Sequence, residues 1–229
     1  MAVSPEEWFK SLPPVTKAYL CGAVGTTAAV TFGLIGIESL YLNFDLVFKK
    51  FQIWRLVTCF MFFGKFSYPF IFQMFILGRY FNLVESGYYN PSNPGKTAEM
   101  VTFVAFGAIV MLVLSFFWNL FFLGPALSFM VMYVWSRKDP MMPISFWGFA
   151  IKAWHLPFVM LGMALLMRSS PVLDIVGIFV GHLWCFLTEL VPQVYGVTVV
   201  WTPQFLYQFF GVGSSSSFRG SNIRGYRLN

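Results

Sequence analysis

His182 is the residue of this chain best placed for acid–base chemistry, because an imidazole titrates near neutral pH. It closes the apolar stretch Gly177-Ile178-Phe179-Val180-Gly181-His182. Glycines four residues apart share one face of a helix and let a neighbouring backbone come close, and His182 lies on a flank of that seam. Hydrocarbon solvates an imidazole poorly, so His182 is expected to face protein or a water-filled cavity. A base there could serve serine hydrolysis inside a membrane, which also needs a nucleophile within reach and donors for the oxyanion. Gly-X-Ser-Gly, the setting such a serine needs, is absent from the fourth apolar segment. Ser128 sits instead in Ala126-Leu127-Ser128-Phe129, where its hydroxyl is expected to bond the preceding helical turn, and Ser136 falls at the segment's edge. No catalytic residue is therefore assigned.

Two further polar features stand out. Trp54-Arg55 joins an interface aromatic to a guanidinium that can bind lipid headgroups or loop carbonyls. Gln73 lies in the middle of an apolar run, where its amide requires a partner or water, either as glue between helices or as the lining of a polar groove. Cys21, Cys59 and Cys185 are isolated, with no histidine at metal-ligand spacing, and neither paired carboxylates nor a phosphate-binding loop occurs. No metal or cofactor is expected.

The elements that must position these groups follow from composition. The chain has 229 residues, 58% hydrophobic and only 10% charged, with a mean hydropathy of +0.69. A soluble domain carries about 25% charged residues, so this chain has lipid-facing surface built in. Its net charge of +6 is spread between apolar runs and reads as a topology signal rather than a nucleic-acid footprint. The expected architecture is an all-α polytopic membrane protein, a six-helix bundle. Residues 1–16 form a cytosolic interfacial helix, 17–191 the membrane domain, and 192–229 a cytosolic tail. Spans are placed at about 18–37, 66–84, 98–117, 119–136, 154–167 and 172–190, with an aromatic-rich first loop lying in the plane of the interface. The fifth span, about 14 residues, is short for a hydrocarbon core of about 30 Å and implies local thinning. Six spans place both termini on one side. That side carries Lys10, Lys17, Arg79, Lys96, Arg137, Lys138, Lys152, Arg219, Arg224 and Arg227, against Lys49, Lys50, Arg55, Lys65 and Arg168 opposite, which favours cytosolic termini.

Five segments occur in one order along nearly the whole chain: Phe51-Gln52-Ile53-Trp54-Arg55, Tyr133-Val134-Trp135-Ser136-Arg137, Ser145-Phe146-Trp147-Gly148-Phe149, Gly177 to His182, and Thr202-Pro203-Gln204-Phe205-Leu206. In these motifs the chain resembles the Derlin family, rhomboid-like pseudoproteases of the endoplasmic reticulum. The resemblance implies a rhomboid-like fold and a non-catalytic part in endoplasmic-reticulum-associated degradation, moving misfolded proteins to the cytosol for ubiquitin-dependent destruction. It carries a family motif onto Trp54 and Arg55 and a glycine pair onto Gly177 and Gly181. It also matches Gly225, Tyr226, Arg227 and Leu228 to a C-terminal box that recruits a cytosolic AAA ATPase, although Asn222 and Ile223 depart from that box. The partners it implies are misfolded clients, that ATPase, a membrane ubiquitin ligase complex, and further copies or relatives in a homo- or hetero-oligomer. Gln73 and Ser128 are the residues expected to line a polar groove. Two other classes compete: an active rhomboid-type serine protease, whose cleavage would depend on Ser128 and His182, and a transporter or channel, which would show paired broken helices and intramembrane charges.

Overall fold

The computed structural model describes residues 5–87, 94–146, 149–166 and 170–210, and they are mostly helical. Helix α1 (Pro5–Ser11) precedes α2 (Pro14–Thr31), which begins with proline in its first turn, where a missing N–H costs nothing. Two short helices, α3 (Phe44–Lys50) and α4 (Arg55–Met61), occupy the first loop. The side chain of Asn43 caps α3, accepting from Leu46 N at 3.2 Å. Then come α5 (Tyr68–Gly87), α6 (Pro94–Trp118) and α7 (Gly124–Lys138). After a hairpin follow α8 (Leu156–Leu166), α9 (Val172–Cys185), a π-helical turn over Phe186–Leu190, α10 (Val191–Tyr195) and α11 (Gln204–Phe209).

Helix α7 is the centre of the molecule. Its residues from Ala126 to Ser128 and from Met130 to Ser136 are all buried, which is what a helix enclosed on every side requires. Helix α9 packs along it more extensively than any other pair of elements, with α5, α4 and α8 also against α7 and α2 behind α5. Outward-facing side chains are just as apolar: Phe75, Ile109, Val113, Phe117, Ile175 and Phe179 are all more than half exposed. Among the described residues two helical stretches, Thr97–Trp118 and Val172–Tyr195, are long and apolar enough to cross a membrane, and Ala153–Leu166 is a shorter apolar helix.

Several limits differ from the sequence-based expectations. Helix α2 ends at Thr31, not near residue 37, because Gly33 takes a left-handed φ of +72° that turns the chain out of the helix. The fourth helix begins at Gly124-Pro125 rather than Asn119, whose own φ of 49° is left-handed. The sixth runs past Pro192 to Tyr195: the π turn shifts the hydrogen-bond register just ahead of the proline, which then occupies the first turn of α10. Not foreseen was an antiparallel hairpin of β1 (Pro143–Phe146) and β2 (Phe149–Lys152), whose register pairs Pro143 with Lys152 and Phe146 with Phe149. Only two residues connect its strands.

Glu85 of α5 is fully buried and closes the start of α2 from outside. Its Oε1 accepts from Val15 N at 2.9 Å, while Oε2 accepts from Thr16 N and Thr16 Oγ1, both at 2.7 Å. Pro13, the residue in the capping position, offers no side-chain acceptor, so Glu85 satisfies N–H groups that would otherwise be orphaned. Glu85→Gln replaces one of its acceptor oxygens with a donor facing these donors. It is expected to destabilise the purified protein by about 2 kcal/mol, read as a lowered Tm in detergent; an unchanged Tm would remove this cap from the stability of the fold.

Candidate functional site

The first turns of α5, α7 and α9 and the last turns of α8 meet at one end of the bundle around a partly open cavity of about 410 Å³. Phe72, Ile76, Phe129, Met160 and Met163 are among the apolar residues of its wall. Besides Tyr68 at its rim, which is 76% exposed, three side chains break that apolar surface: Gln73 from α5, Ser128 from α7 and Asp174 from α9. Helices α5 and α8 scarcely touch one another, so the side of the cavity between them is not closed by helix packing. A larger depression of about 700 Å³ lies beside Trp118–Phe122, Val172, Leu173, Ile175 and Val176, with Asn119, Ser170 and the Trp118 indole as its polar groups among the described residues.

Each polar group is held differently. Ser128 is buried and its hydroxyl donates to Gly124 O at 3.3 Å, one turn back on its own helix, which leaves the oxygen free to accept. The Oε1 of Gln73 is buried and has no hydrogen-bond partner among the described residues. Asp174 is 8% exposed and likewise has no hydrogen bond or ion pair there. The sequence reading paired Gln73 with Ser128 and overlooked Asp174. The available signal was an acidic residue within an apolar helix, which is costly in hydrocarbon unless it serves a site.

Gly177 and Gly181 stand outside the cavity, on the line where α9 crosses α7. A Cβ on Gly177 would fall against the carbonyl oxygen of Ala126 and 2.6 Å from Phe129 Cβ; one on Gly181 would lie 2.9 Å from Tyr133 Cδ1 and 3.2 Å from Met130 O. The contacts advance together along both chains, so α7 and α9 run parallel. This register separates the two residues a serine protease would join. His182 lies level with Tyr133, five residues or about 7.5 Å of helical rise beyond Ser128. Its Nδ1 is 2.9 Å from the Tyr133 hydroxyl, and no hydrogen bond links it to Ser128. Apart from that protein partner His182 is exposed, because the glycine seam takes up the inner face of α9 and turns its neighbour outward. His182→Ala is expected to cost about 1 kcal/mol through the lost Tyr133 bond, with thermal unfolding as the check. Tyr133→Phe should reproduce the loss; a loss in only one of the two variants would show that the pair does not act together.

Arg55, at the start of α4, is buried, and the alternative left open between headgroups and loop carbonyls falls to the carbonyls. Its Nη1 donates to Glu38 O at 2.6 Å and Tyr41 O at 2.8 Å, its Nε donates to Gln52 Oε1 at 2.7 Å, and the guanidinium lies 5.0 Å from the centre of the Tyr41 ring. Trp54 beside it is 54% exposed. Gly225, Tyr226, Arg227 and Leu228 lie outside the described residues.

The model of the Der1-like family matches residues 12–204. The chain is 39% identical to Derlin-2.2 of Arabidopsis thaliana over 222 residues, covering 92% of this chain and 89% of that one. It is 38% identical to a probable derlin-2 homolog of Dictyostelium discoideum over 214 residues, 90% and 83% of the two chains. With Derlin-1.1 of Zea mays it shares 36% over 244 residues, 99% of each.

Proposed function

The chain belongs to the Der1-like family, and from that premise we propose that it is a non-catalytic component of endoplasmic-reticulum-associated degradation, assisting misfolded proteins on their way back to the cytosol. The observation that carries this reading is the cavity between α5, α7, α8 and α9. It sets the unpartnered Gln73 oxygen, Ser128 and Asp174 in an apolar wall that helix packing leaves open between α5 and α8. A groove of this kind offers a partly hydrated path to a segment leaving the bilayer sideways.

In the proposed arrangement the membrane domain has six spans, formed by α2, α5, α6, α7, α8 and α9 continuing through α10. The first loop lies in the interfacial plane, and both termini face the cytosol from a multi-pass position in the endoplasmic reticulum membrane. The short α8 thins the bilayer around the groove, so the protein lowers a barrier and performs no work. Pulling falls to the cytosolic AAA ATPase, recruited through Gly225, Tyr226, Arg227 and Leu228, while a membrane ubiquitin ligase complex marks the client and oligomerisation assembles the site. The hydrogen bonds of Ser128 to its own helix and of His182 to Tyr133 support the absence of catalysis.

The test is a chase of misfolded membrane and lumenal clients in cells depleted of the protein. Depletion should lengthen client half-lives several-fold, the wild type should restore them, and Gln73→Leu, made at normal abundance, should restore them incompletely. Unchanged half-lives after depletion would reject the reading. Cleavage of a rhomboid reporter substrate by the purified protein, lost in Ser128→Ala or His182→Ala, would replace it with the protease.

A further inference from the structure

The groove has a chemical polarity of its own. The unpartnered oxygen of Gln73, the free lone pairs of Ser128 and the carboxyl group of Asp174 all offer acceptors to the same space. Among the described residues no Lys, Arg or His lines the cavity, and Asp174 is the only carboxyl there. Asp174 is 92% buried, taking its 8% exposure from the whole, and has no cationic partner among the described residues. A buried acid without a counter-charge is an unfavourable arrangement that an incoming cation would relieve. The volume of about 410 Å³ is on the scale of small-ligand sites, enough for one long side chain and its immediate surroundings but not for a helix about 10 Å across.

We propose that the cavity is a recognition site for a basic side chain, arginine above lysine, carried near the matching end of an otherwise apolar membrane segment of a client. The inference rests on the reading that clients enter this groove and adds which of them it holds. Such a segment is itself poorly tolerated by lipid, so the penalty on the client's cation and the penalty on Asp174 are removed together. Arginine fits best because its five donors can reach the three acceptors at once, whereas an ammonium on a flexible stem offers a compact point charge. The remainder of the client segment would lie along the apolar sides of α5 and α8, where Ile71, Phe75 and Leu165 are exposed.

The experiment uses the full chain in membranes with benzoylphenylalanine in place of Phe72, on the cavity wall, and polyleucine membrane segments carrying arginine, leucine or glutamate at the level of Asp174. The arginine segment should give about three- to tenfold more photo-adduct than the leucine segment, the range that interhelical hydrogen bonds produce, and the glutamate segment least. Asp174→Asn should bring arginine down to the yield of leucine without changing the leucine yield; Asp174→Glu should keep the preference, which guards against a misfolded Asn variant; Asp174→Arg should favour glutamate. Equal capture of arginine and leucine segments by the wild type, or a preference that survives in Asp174→Asn, would overturn the inference while leaving the groove as a client path. Capture of no segment would reject both.

Discussion

Gly177→Leu is expected to leave no properly folded protein. Helix α9 meets α7 along the largest helix–helix contact of the molecule, and the space a side chain would need at Gly177 is occupied by the Ala126 carbonyl oxygen and Phe129 Cβ. Backbone atoms cannot rotate away as a flexible side chain can, so the helices must separate, at a cost of about 3 kcal/mol or more. The glycines are graded. At Gly181 the nearest atom is Cδ1 of the Tyr133 ring and the nearest backbone atom, Met130 O, is 3.2 Å away, so part of the strain can be taken up by a ring shift. Gly181→Ala should therefore be milder than Gly177→Ala. Detergent-solubilised yield, size-exclusion profile and Tm measure the order. Equal Tm values for Gly177→Ala and the wild type would show that the two helices can part at little cost, and the α7–α9 seam would lose its place as the centre of the fold.

Arg55→Leu is the second severe substitution. It strands three acceptors, Glu38 O, Tyr41 O and Gln52 Oε1, beneath a first loop that Arg55 draws together from three points in sequence. Each partly buried acceptor left unmade is costly, and allowing for water that reaches some of them the total is about 3 kcal/mol. The planar fork of the guanidinium matters as well as its charge: Nη1 and Nε point to different partners, and the ring of Tyr41 lies 5.0 Å from it. Arg55→Lys keeps the charge but cannot serve both directions, so about half the loss should remain. Limited proteolysis between residues 38 and 55 together with Tm provides the measurement, with cleavage rising in the order wild type, Arg55→Lys, Arg55→Leu. A lysine variant indistinguishable from wild type would mean that charge alone holds the loop.

Composition and short-range signals determine a good deal here. Mean hydropathy, the spacing of apolar runs and the charges between them are enough for a mostly helical membrane protein, and the ordered motifs from Trp54-Arg55 to Gly177 through His182 are enough for the family. The starts and stops of helices were legible only approximately: the fourth was expected from Asn119 and begins at Gly124-Pro125, and the cap that Asn43 places on α3 was not read. Which face of each helix turns inward was not. When the surroundings of a helix are as apolar as its core, the alternation of polar and apolar residues that marks an inner face in a water-soluble protein fades, and only glycines and isolated polar side chains still report it. Gln73, Ser128 and the glycine pair were visible for that reason. Asp174 passed unnoticed because an acid in the first turn of a helix is also ordinary capping chemistry, and only the arrival of α5, α7 and α8 around it makes it part of a cavity. His182 was legible as a possible base, but its role depends on Tyr133, 49 residues earlier, and on a register that keeps Ser128 a full turn away. The closing of α2 by Glu85 and of the first loop by Arg55 are likewise decided by tertiary structure, since each joins donors and acceptors far apart in the chain whose pairing no local pattern records.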